Sequence, residues 1–344
     1  MFKDLSKYGF LNAKIRSKIG NLLDDDEFEE MRAHKSYYEI INFLVEKEYI
    51  SHESKVSDIK EIEFELFKLN LQTYQDIYFY TRERKLKKFI FHLLEKLEVE
   101  NFKNILRSWT YKERDIDLDE YIYKERICYD IPAEKLLASD DIEEFRSQVS
   151  HTPFFSDMTD ALGDYKKTNS LFYLEIALDK GYYSRIFSSL DLLTGRDQKI
   201  VKKFIGFEID VQNLIHLIRF KNYYDLNPAL ALKNVISSGY RFSQDFLSSF
   251  YSSTELKSDI LGLFSGLPKF MASEFSNKIK TELSLKNKMM LIEDLLMQVL
   301  MNQVRNTLTG YPFTIGIIIV YLLLKHLEIK NIISILNLKY YELI

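Results

Sequence analysis

In three copies of one phrase a carboxylate stands three residues ahead of an asparagine: Glu98 with Asn101, Asp210 with Asn213, and Glu328 with Asn331. A carboxylate and an amide one helical turn apart could belong to a triplicated site or bind backbone groups. All three pairs sit in one repeated phrase, EVENFKNILRSW at 98–109, DVQNLIHLIRFK at 210–221 and EIKNIISILNLK at 328–339. Arg107 and Arg219 follow the apolar positions in the first two copies, and Asn337 replaces them in the third. At about 100° per residue, Val99, Phe102, Ile105 and Leu106 share one helix stripe, with Arg107 roughly opposite the acid. Leu214, Leu217 and Ile218 repeat that stripe, as do Ile332, Ile335 and Leu336, so each copy reads as a helix packing into its own repeat. Each acid lies near the middle of the stripe and must open the helix, where the macrodipole favours it, or be buried with a partner. The asparagine is placed to bond a neighbouring backbone. Recurrence in triplicate makes these residues a structural signature, because an active site is seldom kept three times in one chain.

Other chemistry is sparse. His34, His52, His92, His151, His216 and His326 lack metal-ligand spacing. The acids from Asp24 to Glu30 point in different directions on a helix and form a solvated face. Cys128 is the single cysteine, which excludes disulfide and multi-cysteine metal sites within the chain and suits a reducing cytoplasm. GLFSGLPK at 262–269 lacks the Lys-Ser/Thr end of a phosphate loop, and neither GxGxxG nor GxSxG occurs. No catalytic, cofactor-binding or metal-binding residue is therefore assigned. The basic run Arg82, Arg84, Lys85, Lys87 and Lys88 precedes apolar Phe89 and Ile90 and is a candidate interface for an acidic partner or anionic headgroups.

The elements that would position these residues are helices. Only 11 glycines and 5 prolines occur, and Pro132 is the first proline, so a long opening stretch lacks the strongest helix breaker. With 46% hydrophobic and 28% charged residues, the chain can build a large core, and an all-α fold is expected. Copies beginning at 98, 210 and 328 divide it into units of about 115 residues, with domains at 1–112, 113–224 and 225–344. Asp24, Asp25 and Asp26 sit where a helix N-terminus favours negative charge, and SDDIEEFR at 139–146 reuses that opening. Glu65, Glu175 and Glu293, in EFELFKL, FYLEIAL and LIEDLLM, mark a further helix upstream of each phrase. Seams are expected at 109–120 and 220–229, while the third opening, around 237–250, is hard to recognise.

A formal charge of -4 gives no reason to expect nucleic-acid binding. The opening MFKDLSKYGFLNAKIR lacks the apolar region of a signal peptide. The apolar run at 313–324 is too short to span a bilayer, which takes about 20 residues, and reads as a buried helix.

YGFLNAKIR at 8–16, EIDVQNLIHLIRFK at 208–221 and PFTIGIIIVYLLLKHLEIKNIISILNLKYY at 312–341 together resemble the C subunit of prokaryotic V/A-type ATPases, the counterpart of the d subunit of the eukaryotic vacuolar ATPase. The resemblance covers essentially the whole chain. It implies a non-catalytic central-stalk component of a rotary motor, with three similar helical domains in a pseudo-threefold funnel. Such a component sits peripherally on the cytoplasmic face of the membrane, on the ion-carrying rotor ring, and takes up the central shaft made by the D and F subunits. It thereby links ATP hydrolysis or synthesis to proton or sodium transport, without cofactor, metal or membrane-spanning segment of its own. The alternative is a free-standing helical-repeat scaffold that binds another protein.

Overall fold

A computed structural model describes residues 2–51, 58–111, 122–222, 224, 226–252, 297 and 299–342. Among the described residues every regular element is helical, and the fold is all-α. The chain divides into two compact units. One holds Met1–Thr194 together with Pro312–Ile344, and the other holds Gly195–Tyr311.

The first unit contains α1 (Phe2–Ile19), α2 (Asp25–Ala33), α3 (Tyr37–Glu46), α4 (Ile59–Tyr80), α5 (Arg84–Thr110), α6 (Ala133–Ala138), α7 (Ile142–Ser147), α8 (Pro153–Asp157), α9 (Leu162–Thr168) and α10 (Phe172–Ser188). The second contains α11 (Gly195–Asn222), α12 (Pro228–Lys233), α13 (Gln244–Ser252) and the helical residues 299–309. The last helix, α14 (Gly316–Tyr340), belongs to the first unit. Glu293, the run at 262–269 and most of the 109–120 seam lie outside the described residues.

The acidic openings act as helix caps. Asp24 accepts the Glu27 amide while the Glu27 side chain accepts the Asp24 amide, closing a capping box at the start of α2. Asp141 takes the amides of Glu143 and Glu144 at the start of α7.

The three phrases lie within α5, α11 and α14. Phe102, Ile105 and Leu106 are fully buried in the first, and Leu214 and Leu217 in the second. Each such side chain contributes on the order of 1.5–3 kcal/mol through burial. In the third, Ile329, Ile332, Ile335 and Leu336 join one core with Leu23, Phe28, Met31, Ile40, Ile41, Leu44, Ile62 and Leu66. The C-terminal phrase therefore packs against the beginning of the chain, and the span 225–344 is shared between the two units. Asn12 of α1 ties this closure by donating to the Pro312 carbonyl at 2.7 Å.

The apolar run at 313–324 forms the buried start of α14, with every residue from Thr314 to Leu322 buried. Among the described residues no helix is long and apolar enough to cross a membrane.

Candidate functional site

The repeated acids are buried in the middle of their helices, and in two copies their partners are peptide groups. Glu98 Oε2 accepts the Cys128 amide at 2.5 Å and the Tyr129 amide at 3.0 Å. One turn on, Asn101 holds both sides of a single peptide residue: its amide donates to the Tyr123 carbonyl at 2.8 Å, and its carbonyl accepts the Tyr123 N–H at 2.9 Å. Contacts move from Tyr123 to Tyr129 as the helix is followed from Asn101 back to Glu98, so this segment runs antiparallel to α5. The pair works as a clamp that satisfies an irregular segment's backbone beside an apolar core.

In the second unit Asn213 grips Ile236 in the same two-sided way, at 2.8 and 2.7 Å. Asp210 Oδ2 accepts the amides of Tyr240 at 3.1 Å and Arg241 at 2.6 Å, and Oδ1 accepts that of Phe242 at 3.4 Å. Gly239 leaves room for this carboxylate, because a Cβ there would run into Asp210 Oδ1. Gly206 on the helix leaves room for the gripped segment itself, since a Cβ there would come within 2.9 Å of the Tyr240 Cβ.

The third copy departs from the pattern. Glu328 Oε1 accepts the Leu23 amide at 2.7 Å and the Tyr49 hydroxyl at 2.5 Å, while Oε2 pairs with the Lys325 ammonium at 2.6 Å. Asn331, expected to bond a neighbouring backbone, is exposed. The reason is local. The Asn-gripped residue lies four to six positions before the acid-gripped ones in the first two clamps, and four to six before Leu23 are Ile19, Lys18 and Ser17, inside α1, whose backbone serves the helix ladder.

Burial pushes the Asp210 carboxyl up to about 6, against the pull of the Arg241, Phe242 and Tyr240 amides. Burial also raises Glu98, opposed by the amides of Tyr129 and Cys128. Because folding raises the Asp210 pKa, the native state holds more protons between the unfolded and folded values. Stability from this group therefore grows as pH falls through about 6 and is lost as pH rises. Relative to the Asp210→Asn variant, the wild type gains about 2 kcal/mol in unfolding free energy between pH 7.5 and 4.5, measurable by urea titration at each pH.

At the arginine position of the phrase, the first and third copies reach an acid on another helix. Arg107 Nε bonds Glu175 Oε1 at 2.5 Å, and Lys103 pairs with Asp179, both linking α5 to α10. Asn337 donates to Glu63 Oε1 at 2.7 Å, linking α14 to α4, whereas Glu65 pairs with Lys68 on its own helix. Arg219 is exposed. Asn337→Arg, which restores the repeated residue beside Glu63, changes unfolding free energy by less than about 1 kcal/mol in chemical denaturation.

A second polar centre lies at the junction of α5, α8 and α10. Glu95, fully buried, accepts the Tyr129 hydroxyl at 2.6 Å and Arg185 Nε at 3.0 Å, and its other oxygen meets His92 Nδ1 at 2.7 Å. Arg185 Nη1 also holds both oxygens of Asp157, at 3.0 and 2.7 Å. Burial alone would raise Glu95, but the bond to His92 and the Arg185 charge hold it below the usual carboxylate range. Spacing offered one signal for this centre: His92, Glu95 and Glu98 occur at i, i+3 and i+6 within an apolar helix. Arg185 and Asp157 carried none.

The basic run divides. Arg84, Lys87 and Lys88 face a cleft of about 700 Å³, also lined by Tyr78, Phe91, His92, Arg185, Ser188, Ser189 and Leu192. Arg82 instead lies over the Phe10 ring at 5.6 Å, and Lys85 is exposed. Among the described residues no group of three or more His, Cys, Asp or Glu is arranged to hold a metal ion.

Over residues 11–343 the chain matches the family described as ATP synthase (C/AC39) subunit. It is 26% identical to the C subunit of the A-type ATP synthase of Methanocaldococcus jannaschii, a match that covers 98% of this chain and 84% of that protein. The same-named protein of Methanosphaera stadtmanae is 25% identical, with 94% and 82% covered. That of Pyrococcus horikoshii is 21% identical, with 96% and 86% covered.

Proposed function

Because the chain belongs to the ATP synthase (C/AC39) subunit family, we propose that it is the non-catalytic central-rotor component that couples a D–F shaft to the ion-carrying membrane ring. ATP hydrolysis or synthesis is thereby linked to proton or sodium transport. The observation that carries this reading is similarity along nearly the entire chain to archaeal proteins named as the C subunit of A-type ATP synthases. In this reading the protein is peripheral, seated on the cytoplasmic face of the ring, and its three similar helical domains form a funnel that receives the shaft.

The internal architecture suits a part that carries torque. Glycine is scarce, the phrase helices are filled along their apolar stripes, and buried acids tie irregular segments to helix sides. Close-packed interiors deform little and transmit strain. A buried carboxylate bonded to two or three peptide amides resists slippage of the segment it holds, because any displacement strands charge and donors away from water.

The test is coupling. Membrane vesicles from cells lacking this chain should retain ATP hydrolysis by the head and lose ATP-driven ion uptake, and re-addition of the protein should restore uptake. Undiminished uptake without it would overturn the proposal.

A further inference from the structure

We propose that the cleft between the start of α5 and the end of α10 binds a phosphate-bearing anion, a function separate from torque transmission and independent of the rotor reading. Arg84, Lys87, Lys88, Phe91 and His92 follow one another at i, i+3, i+4, i+7 and i+8, so they form a single stripe of α5. Facing it, Arg185, Ser188 and Ser189 follow at i, i+3 and i+4 from the end of α10, and Tyr78 of α4 closes a side. None of the lining residues is acidic.

The charges on the α5 stripe have no counterpart among the described residues. Among the described residues Arg84, Lys87 and Lys88 form no ion pair, and Lys87 rests 4.5 Å from the centre of the Tyr78 ring. Like charges at i, i+3 and i+4 repel one another on a helix. Cations in a first turn also oppose the macrodipole, and the first turn of α5 carries no acid. The cap residue Glu83 uses its carboxylate on the Lys85 and Leu86 amides and approaches Lys7 at 4.0 Å. A stripe so unfavourable by itself is relieved by a bound anion.

The donor set specifies the anion's chemistry. A guanidinium and two ammonium groups on consecutive turns, with the exposed Ser188 hydroxyl opposite, offer several directions of donation to a tetrahedral group with three or more oxygens. Arg185 adds a rigid wall. Its Nε and Nη1 are spent on Glu95 and Asp157, while Nη2 has no hydrogen-bond partner among the described residues. The cleft has room for more than one phosphate, and Tyr78 and Phe91 give it apolar faces. Free polyphosphate compounds and lipid headgroups share this chemistry.

Calorimetric titration of the full chain with inorganic pyrophosphate, and co-sedimentation with phosphatidylcholine vesicles with and without phosphatidylglycerol, separate the two sources. The Lys87→Gln/Lys88→Gln variant is compared with the charge-matched Lys35→Gln/Lys330→Gln variant, with circular dichroism confirming that both fold. One-to-one pyrophosphate binding that weakens by about tenfold or more only in the first variant assigns a free phosphate ligand. Binding to the anionic vesicles alone, lost in the same variant, assigns a headgroup. Absence of binding to either probe, or equal weakening in both variants, overturns the proposal.

Discussion

Replacing Asp210 with alanine lowers the unfolding free energy of the Gly195–Tyr311 unit by about 3–5 kcal/mol. The size follows from what the carboxylate satisfies. Three consecutive amides, Tyr240, Arg241 and Phe242, converge on it beside a buried helix stripe, and alanine leaves all three without that acceptor. An unsatisfied buried donor costs about 1–3 kcal/mol, and the Gly206 carbonyl, which also accepts the Tyr240 amide at 3.1 Å, moderates one of the three. Urea unfolding gives the magnitude, and hydrogen exchange gives the location. Amides at 236–242 should lose protection first, while those of the α5 clamp stay protected. Loss of less than about 1 kcal/mol would show that water replaces the carboxylate at no cost.

Arg185→Met has an effect of similar size in the first unit, about 3–5 kcal/mol, because it removes the cation shared by two carboxylates. Glu95 is fully buried and Asp157 nearly so, and among the described residues neither has a second arginine or lysine paired with it. Burial already raises the Asp157 carboxyl despite Arg185, so without the guanidinium it takes up a proton more readily. The destabilisation should accordingly shrink toward acidic pH. Adding Glu95→Gln to Arg185→Met should recover part of the loss in a double-mutant cycle. Gly181 belongs to the same arrangement, since a Cβ there would strike the Asp157 carboxylate.

What could be read ahead of the structure was whatever repeats within a few turns of helix. The stripes of Phe102, Leu214 and Ile332, the caps at Asp24 and Asp141, and the choice for each acid between helix start and buried partner all follow from local spacing. The partners did not. Glu98 reaches amides 30 and 31 residues on, in a segment with no regular period, and Glu328 reaches Leu23 across nearly the whole chain. Asn331 shows why a motif alone misleads: its counterparts find a free segment, whereas here the corresponding backbone is already consumed by α1. For the basic run, spacing separates Arg84, Lys87 and Lys88 from Lys85, but the opposite wall at Arg185 and Ser188 depends on how α10 packs against α5. Helix pairing at that distance is fixed by the summed core, not by any one residue.

The proposed role of this helical protein is to join shaft to ring. Cryo-EM of the ATPase assembly purified through a tag on this chain tests it most directly. The expected result is density for the chain between the central shaft and the membrane ring, on the rotation axis. Density on a peripheral stator, or purification with an unrelated partner and no ring or shaft, would contradict it.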